Sequence, residues 1–252
     1  MISREQLIDY LNNYLQCSRF NDNTVNGLQV EGQPTVKRIC TAVTASLEAI
    51  EACAKLKADT LLVHHGFFWK GEPQIITGIK KARMAVLLNN NINLLAYHLP
   101  LDCHLEIGNN IGIAQQLNLQ NISWHSAGGT PGLLGLGELP NSVTVDALSK
   151  QLALVFNRLP LTIDGGINSI KKLAWCSGGA QDFINLAKDL GADAYISGEI
   201  SERTYYQAKE LPIHYFACGH HATERFGIQA LGEHLANKYD LEVQFLDSNN
   251  PI

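Results

Sequence analysis

The sequence predicts an α/β protein of two similar lobes, each a largely parallel sheet flanked by helices. Three observations carry this. Short β-rich runs alternate with helical patterns of about ten residues. The first such block recurs later in the chain without a gap. Histidines and carboxylates gather where strands end, which is where α/β proteins place their sites. Of 252 residues, 46% are apolar and 17% charged, a composition that excludes a disordered chain.

A helix opens the chain: Ser3 and Gln6 have capping-box spacing, and Leu7, Ile8, Leu11, Tyr14 and Leu15 recur on one face. Beyond the polar turn at 21–23, Arg38–Thr44 reads as a strand, Ser46 as an N-cap, Leu47–Leu56 as a helix and Thr60–His64 as a strand. Ile79–Leu88 follows as a helix, Ile92–His98 as a strand and Asn109–Leu117 as a helix. The Gly-rich stretch 128–137 lacks the Lys-Ser/Thr ending of a phosphate loop, so it is expected to be a turn into an edge strand and the junction between domains 1–128 and 129–252. The last helix and strand are left open to pack on the first lobe. Asp164-Gly165-Gly166, between Leu159–Ile163 and Ile170–Trp175, has the form of a hairpin turn.

Residues 36–66 align with 170–200 at a constant offset of 134, with five of 31 pairs identical where composition alone gives roughly two. Ile92–Ala96 resembles Ile213–Ala217, and each is followed by a polar cluster and a helix. Register kept through strand, helix and strand points to an internal duplication; the plainer reading is that any two βαβ units look alike at this level.

The net charge of −5 offers no basic surface to nucleic acid. Apolar stretches such as Met84–Leu88 are too short to span a bilayer, and Arg4, Glu5 and Asp9 stand where a signal peptide needs an apolar core. Six cysteines without a CxxC pair read as reduced thiols. The expectation is a cytoplasmic protein with no membrane partner.

Three strand ends carry chemistry. Val63-His64-His65-Gly66 presents two adjacent imidazoles, which leave a strand in different directions and so suit two ions better than one. His98-Leu99-Pro100-Leu101-Asp102-Cys103-His104 puts a carboxylate directly after another strand. Cys218-Gly219-His220-His221-Ala222-Thr223-Glu224 sets His220 and Glu224 at i, i+4 on one face if a helix starts there. Taken singly, each has a plain reading as a core histidine, a helix cap or a chance pair. Together they point to a dinuclear site for Zn, Mn, Fe or Co.

The segments VHHGFFWKGE, YHLPLD, NGLQVEG at 26–32, SGEISE at 197–202 and CGHHATERFGI resemble the GTP cyclohydrolase 1 type 2 homologue family, the Ngg-interacting-factor-three-like proteins. The resemblance spans essentially the whole chain and matches the short bacterial form without an inserted central domain. It implies a two-domain α/β protein, a toroidal homohexamer arranged as a trimer of dimers, and a two-metal site between the domains. Carried over by motif, the ligands of two divalent ions per subunit are His64, His65, Asp102, His220 and Glu224, with Glu224 as the bridge. The implied activity is hydrolytic ring-opening of GTP or a related small molecule. The alternatives are a metal-dependent phosphoesterase or peptidase-like hydrolase and a non-enzymatic metal-binding scaffold.

Glu199, set opposite His65 by the repeat alignment, is either the general acid/base or a hydrogen-bond partner of a ligand imidazole. His221 and His104 are either outer hydrogen-bond partners or proton carriers. Phe67-Phe68-Trp69-Lys70 either stacks a base with Lys70 on a phosphate, or packs in an interface with Lys70 in solvent. No Arg/Lys cluster suited to a triphosphate is present, which weighs against GTP itself.

Overall fold

The computed structural model describes residues 1–252. In chain order the first part holds β1 (Ile2–Ser3), α1 (Arg4–Tyr14), β2 (Gly27–Val30), β3 (Thr35–Val36), β4 (Arg38–Thr44), α2 (Leu47–Lys55), β5 (Thr60–His65), α3 (Gly78–Asn89), β6 (Asn93–Ala96) and α4 (Leu99–Asp102). Next come α5 (Asn109–Gln116), β7 (Gln120–Ala127), β8 (Thr130–Val143), α6 (Val145–Phe156), β9 (Leu161–Ile163), β10 (Ile170–Trp175), α7 (Ile184–Asp189) and β11 (Ala194–Ser197). The chain closes with α8 (Glu202–Glu210), β12 (His214–Ala217), α9 (His220–Thr223), α10 (Arg225–Tyr239) and β13 (Glu242–Phe245). No helix is long and apolar enough to cross a membrane.

Two units result: Met1–Leu101 with Gly227–Asn249, and Asp102–Phe226 with Asn250–Ile252. The division falls at 101/102, not at the expected 128/129. The cause is packing: Ile113, Ala114 and Leu117 of α5 share a core with Leu148, Leu152 and Phe156 of α6, and β7 is hydrogen-bonded to β8. The closing helix and strand belong chiefly to the first unit, where β13 pairs in parallel with β4.

The first unit's main sheet runs β13-β4-β5-β6-β2, parallel except for the antiparallel edge β2. Cys40, Ala42, Leu61, Val63, Leu94 and Ala96 face Ala49, Ile50 and Cys53 of α2 and Leu87 of α3. On the other face α10 lies close: a Cβ on Gly232 would come within 3.0 Å of both Thr41 and Val243. Burial on both faces is why these strands read as continuous apolar runs. Local signals hold as read. Ser3 and Gln6 form the complete capping box on α1, and Ser46 Oγ accepts from Ala49 N at 3.1 Å.

The second unit's sheet runs β7-β8-β10-β11-β12-β9. Its centre β10-β11-β12 is parallel, and the added strands are antiparallel, so this sheet is mixed rather than largely parallel. Leu173, Trp175, Ala194, Ile196 and Phe216 pack with the helical residues named above.

Two expectations fail here. The Gly-rich stretch is neither a domain junction nor a lead into an edge strand. Gly128 and Gly129, with φ of 56° and 79°, turn the β7–β8 hairpin, and the other glycines lie in β8, an inner strand. Gly135 is needed there because a Cβ would sit 2.3 Å from the Trp175 ring. Asp164–Gly166 is not a hairpin turn either. β9 pairs with β12, Tyr215 facing Ile163, and Gly165 approaches the Ile213 backbone so closely that a Cβ would lie 2.2 Å from its carbonyl oxygen.

The two parallel trios share their register. Ile39 faces Thr60 as Leu173 faces Ala194, each pair related by the offset of 134. Asp59 Oδ2 accepts from the backbone N–H groups of Lys37 and Arg38, and Asp193 Oδ2 accepts likewise from Lys171 and Lys172. Arg38 donates to Leu56 O at 3.0 Å, as Lys172 does to Leu190 O at 2.8 Å.

Candidate metal centre

In the first unit His64 and His65 close β5. His64 is fully buried, and its Nδ1 lies 2.9 Å from Tyr97 O. A carbonyl only accepts, so Nδ1 carries the proton and Nε2 has the lone pair a metal takes. His65 Nδ1 lies 3.2 Å from Thr44 Oγ1, and the two rings are tilted by 46° with centroids 4.5 Å apart.

A third imidazole joins them. His98 pairs through Nδ1 with Asp22 Oδ1 at 2.8 Å, and the ligand-capable atoms of His64, His65 and His98 all lie within 4.8 Å of one another. Burial raises the Asp22 carboxyl pKa, but bonds from His98, Asn26 and Leu99 and the charge of His98 outweigh it, holding the group at about 2. Neither residue is among the ligands the motifs imply. His98 was legible as the first residue after its strand; Asp22 had no signal, because its partner is 76 residues away.

The segment after His65 is pinned by the 26–32 motif. Gln29 Oε1 accepts from Phe67 N, and a Cβ on Gly66 would lie 2.0 Å from that oxygen, so a side chain there would push Gln29 out of this bond. Phe67 is buried in the core, Trp69 packs edge-on against His98 at 5.0 Å, and Lys70 is exposed.

In the second unit Asp102 is buried, and its Oδ1 accepts from Asn109 Nδ2 at 2.9 Å and Ser177 Oγ at 3.0 Å. Ligand-capable oxygens of Asp102 and Glu224 lie within 4.8 Å of each other. His220 stands between two carboxylates, Glu199 Oε1 at 2.7 Å from Nδ1 and Glu224 Oε2 at 3.2 Å from Nε2. Burial lowers its pKa, yet the bonds and charges of Glu224 and Glu199 prevail and raise it to about 9. Of the two roles open to Glu199, this contact matches the hydrogen-bond partner of an imidazole.

Gly178, at φ of 66°, makes the room. A Cβ there would sit 2.2 Å from Glu224 Oε1 and 3.2 Å from His220 Nε2. His104 uses Nδ1 to accept from Glu106 N and Ile107 N of its own turn, and His221 is buried.

Residues 2–251 match the family described as Duf34/NIF3, NGG1p interacting factor 3. The chain belongs to the NIF3 family. It is 49% identical over 249 residues to a Vibrio cholerae protein named GTP cyclohydrolase 1 type 2 homolog, covering 98% of both chains. A Pseudomonas aeruginosa protein of the same name is 44% identical over 99% of both. Among solved structures, the protein ybgI, titled as of unknown function, is 42% identical with a TM-score of 0.95 over the whole of both chains. Within this NIF3 fold His64, His65 and His98 of the first unit form a group that could hold a metal ion, and the second unit offers the donors of Asp102, His220 and Glu224. Imidazole nitrogens and carboxylate oxygens suit Zn, Fe, Mn or Co, and the space Gly178 leaves before Glu224 and His220 is a cradle that a side chain would fill.

Proposed function

We propose that this chain is a divalent-metal-dependent hydrolase whose two-ion centre is built from His64, His65, Asp102, His220 and Glu224, and that it acts on a nucleotide or related small molecule in the manner of GTP cyclohydrolase 1 type 2. The reading rests above all on the geometry at His220: an imidazole held between two carboxylates, Glu199 at 2.7 Å and Glu224 at 3.2 Å, is a site prepared for positive charge. A divalent ion answers that demand better than a proton does, since Glu224 and His220 can both coordinate it.

Bound ions would supply Lewis-acid polarisation and a nucleophile drawn from water at neutral pH. The protein's own groups do the rest. The Tyr97 carbonyl sets the His64 tautomer, and Asn109 and Ser177 hold Asp102 by one oxygen. Glu199 acts through His220 as a positioning residue. Two carboxylates against two divalent ions leave a net positive centre, which favours an anionic or electron-rich substrate. The name carried by the V. cholerae and P. aeruginosa relatives supports GTP-type chemistry as the leading version.

The test is metal analysis of freshly purified protein, then turnover of GTP and of a phosphoester and peptide panel with each candidate ion. Two ions per chain and a pterin product from GTP are expected, with both lost in His64→Ala and Glu224→Gln. GTP consumed without a pterin favours a phosphoesterase; metal without turnover favours a scaffold. Full activity in metal-free protein overturns the reading.

A further inference from the structure

We infer that Arg158 and the segment Asn250–Ile252 form a clamp that positions His220, and so govern how tightly this imidazole holds metal. The inference rests on the metal reading above, but its observations are independent of the donors themselves.

Helix α9, which carries His220, is a single turn of four residues. A helix that short has no stability of its own, and its first N–H groups need acceptors from outside. Two supports meet it. From the β11 side, Gly198 O accepts from Gly219 N at 2.8 Å. From the other, Ile252 O accepts from His221 N at 3.0 Å. His220 lies between these two anchored residues.

The 250–252 segment is held in turn. Asn250 Oδ1 accepts from Ile252 N at 2.9 Å, closing a local turn, and Pro251 O accepts from Arg158 Nη1 at 2.7 Å. The same guanidinium lies against Gly219. A Cβ on that residue would fall 2.3 Å from Nη1 and 2.9 Å from both Cδ and Cζ, and its φ of 97° is open to glycine alone at low cost. Arg158 thus touches the residue before His220 directly and holds the segment that caps the residue after it. It is brought there by the end of α6, where Asn157 turns left-handed at φ of 53°. Arg158, Gly219 and Asn250–Ile252 all belong to the second unit.

The experiment uses the full-length protein loaded with Co(II), whose visible spectrum reports ligand geometry, and a competing chromophoric chelator for affinity. Arg158→Ala should weaken Co(II) binding about 10- to 100-fold, the range for groups that orient metal ligands. It should also change the spectrum at saturation. Arg158→Lys, which keeps a donor for Pro251 O, should recover part of the loss. Asn250→Ala gives a second, milder route to the same effect should Arg158→Ala fold poorly. Arg203→Ala, which removes an exposed arginine paired with Asp182, should stay within about twofold of wild type. Wild-type affinity and spectrum in Arg158→Ala, or in Asn250→Ala and Arg158→Lys together if it does not fold, overturn the clamp alone. Wild-type protein that binds no Co(II) overturns the metal reading and the clamp with it.

Discussion

Gly178→Ala is the substitution on which the metal reading is most exposed. The new Cβ would sit 2.2 Å from Glu224 Oε1, where ordinary contact begins at 3.4 Å, so the carboxylate must retreat by about 1 Å. Glu224 is only 3% exposed, which leaves little room for that retreat. The backbone adds a second cost: φ of 66° in a non-glycine residue is unfavourable by about 1 kcal/mol. Displacing a buried donor by 1 Å is enough to lose roughly 100-fold in a site that depends on geometry. We therefore expect metal affinity to fall about 10- to 100-fold, with apo-protein stability lowered by about 1–2 kcal/mol. The neighbouring Gly179→Ala is the control, because its Cβ would meet Glu199 at 3.5 Å, an ordinary contact, and no positive φ is involved. Chelator competition measures affinity, and urea unfolding measures stability. Equal affinities for the two variants would refute the argument that Gly178 shapes the cradle.

Two further outcomes follow from the same physics. The Asp22 carboxyl, held at about 2 against an ordinary 3.8, stabilises the fold fully above the unfolded-state value and ceases to do so as pH falls through its own. Urea titrations should show wild type losing about 2 kcal/mol between pH 5 and pH 2 that Asp22→Asn does not lose; coincident pH dependence would contradict the Asp22–His98 pairing. Gly135→Ala should destabilise by about 1–3 kcal/mol, since its Cβ would meet the fully buried Trp175 ring at 2.3 Å. A thermal midpoint within a degree of wild type would show that the ring has room to move.

Much of the site was legible because its donors lie in short motifs at strand ends. His64 and His65 are neighbours, and His220 and Glu224 are four apart, so their proximity follows from local geometry. Their supports are of another kind. Asp22 reaches His98 across 76 residues, and Ser177 reaches Asp102 across 75. Nothing in the spacing announces either contact. The role of Gly178 is equally silent, since glycine's contribution there is the absence of an atom.

The amino-acid sequence by itself determined the elements whose energetics are local: the Ser3–Gln6 capping box, the Ser46 cap, the apolar strands and the blocks that keep register at offset 134. Only the tertiary structure decided which strand β9 joins, where the chain divides, and which glycines are there for a neighbour's sake. The reason is range. A cap or a periodic face is decided within a few residues, whereas strand partners and cradles are settled by close packing between segments that meet only when the whole core forms.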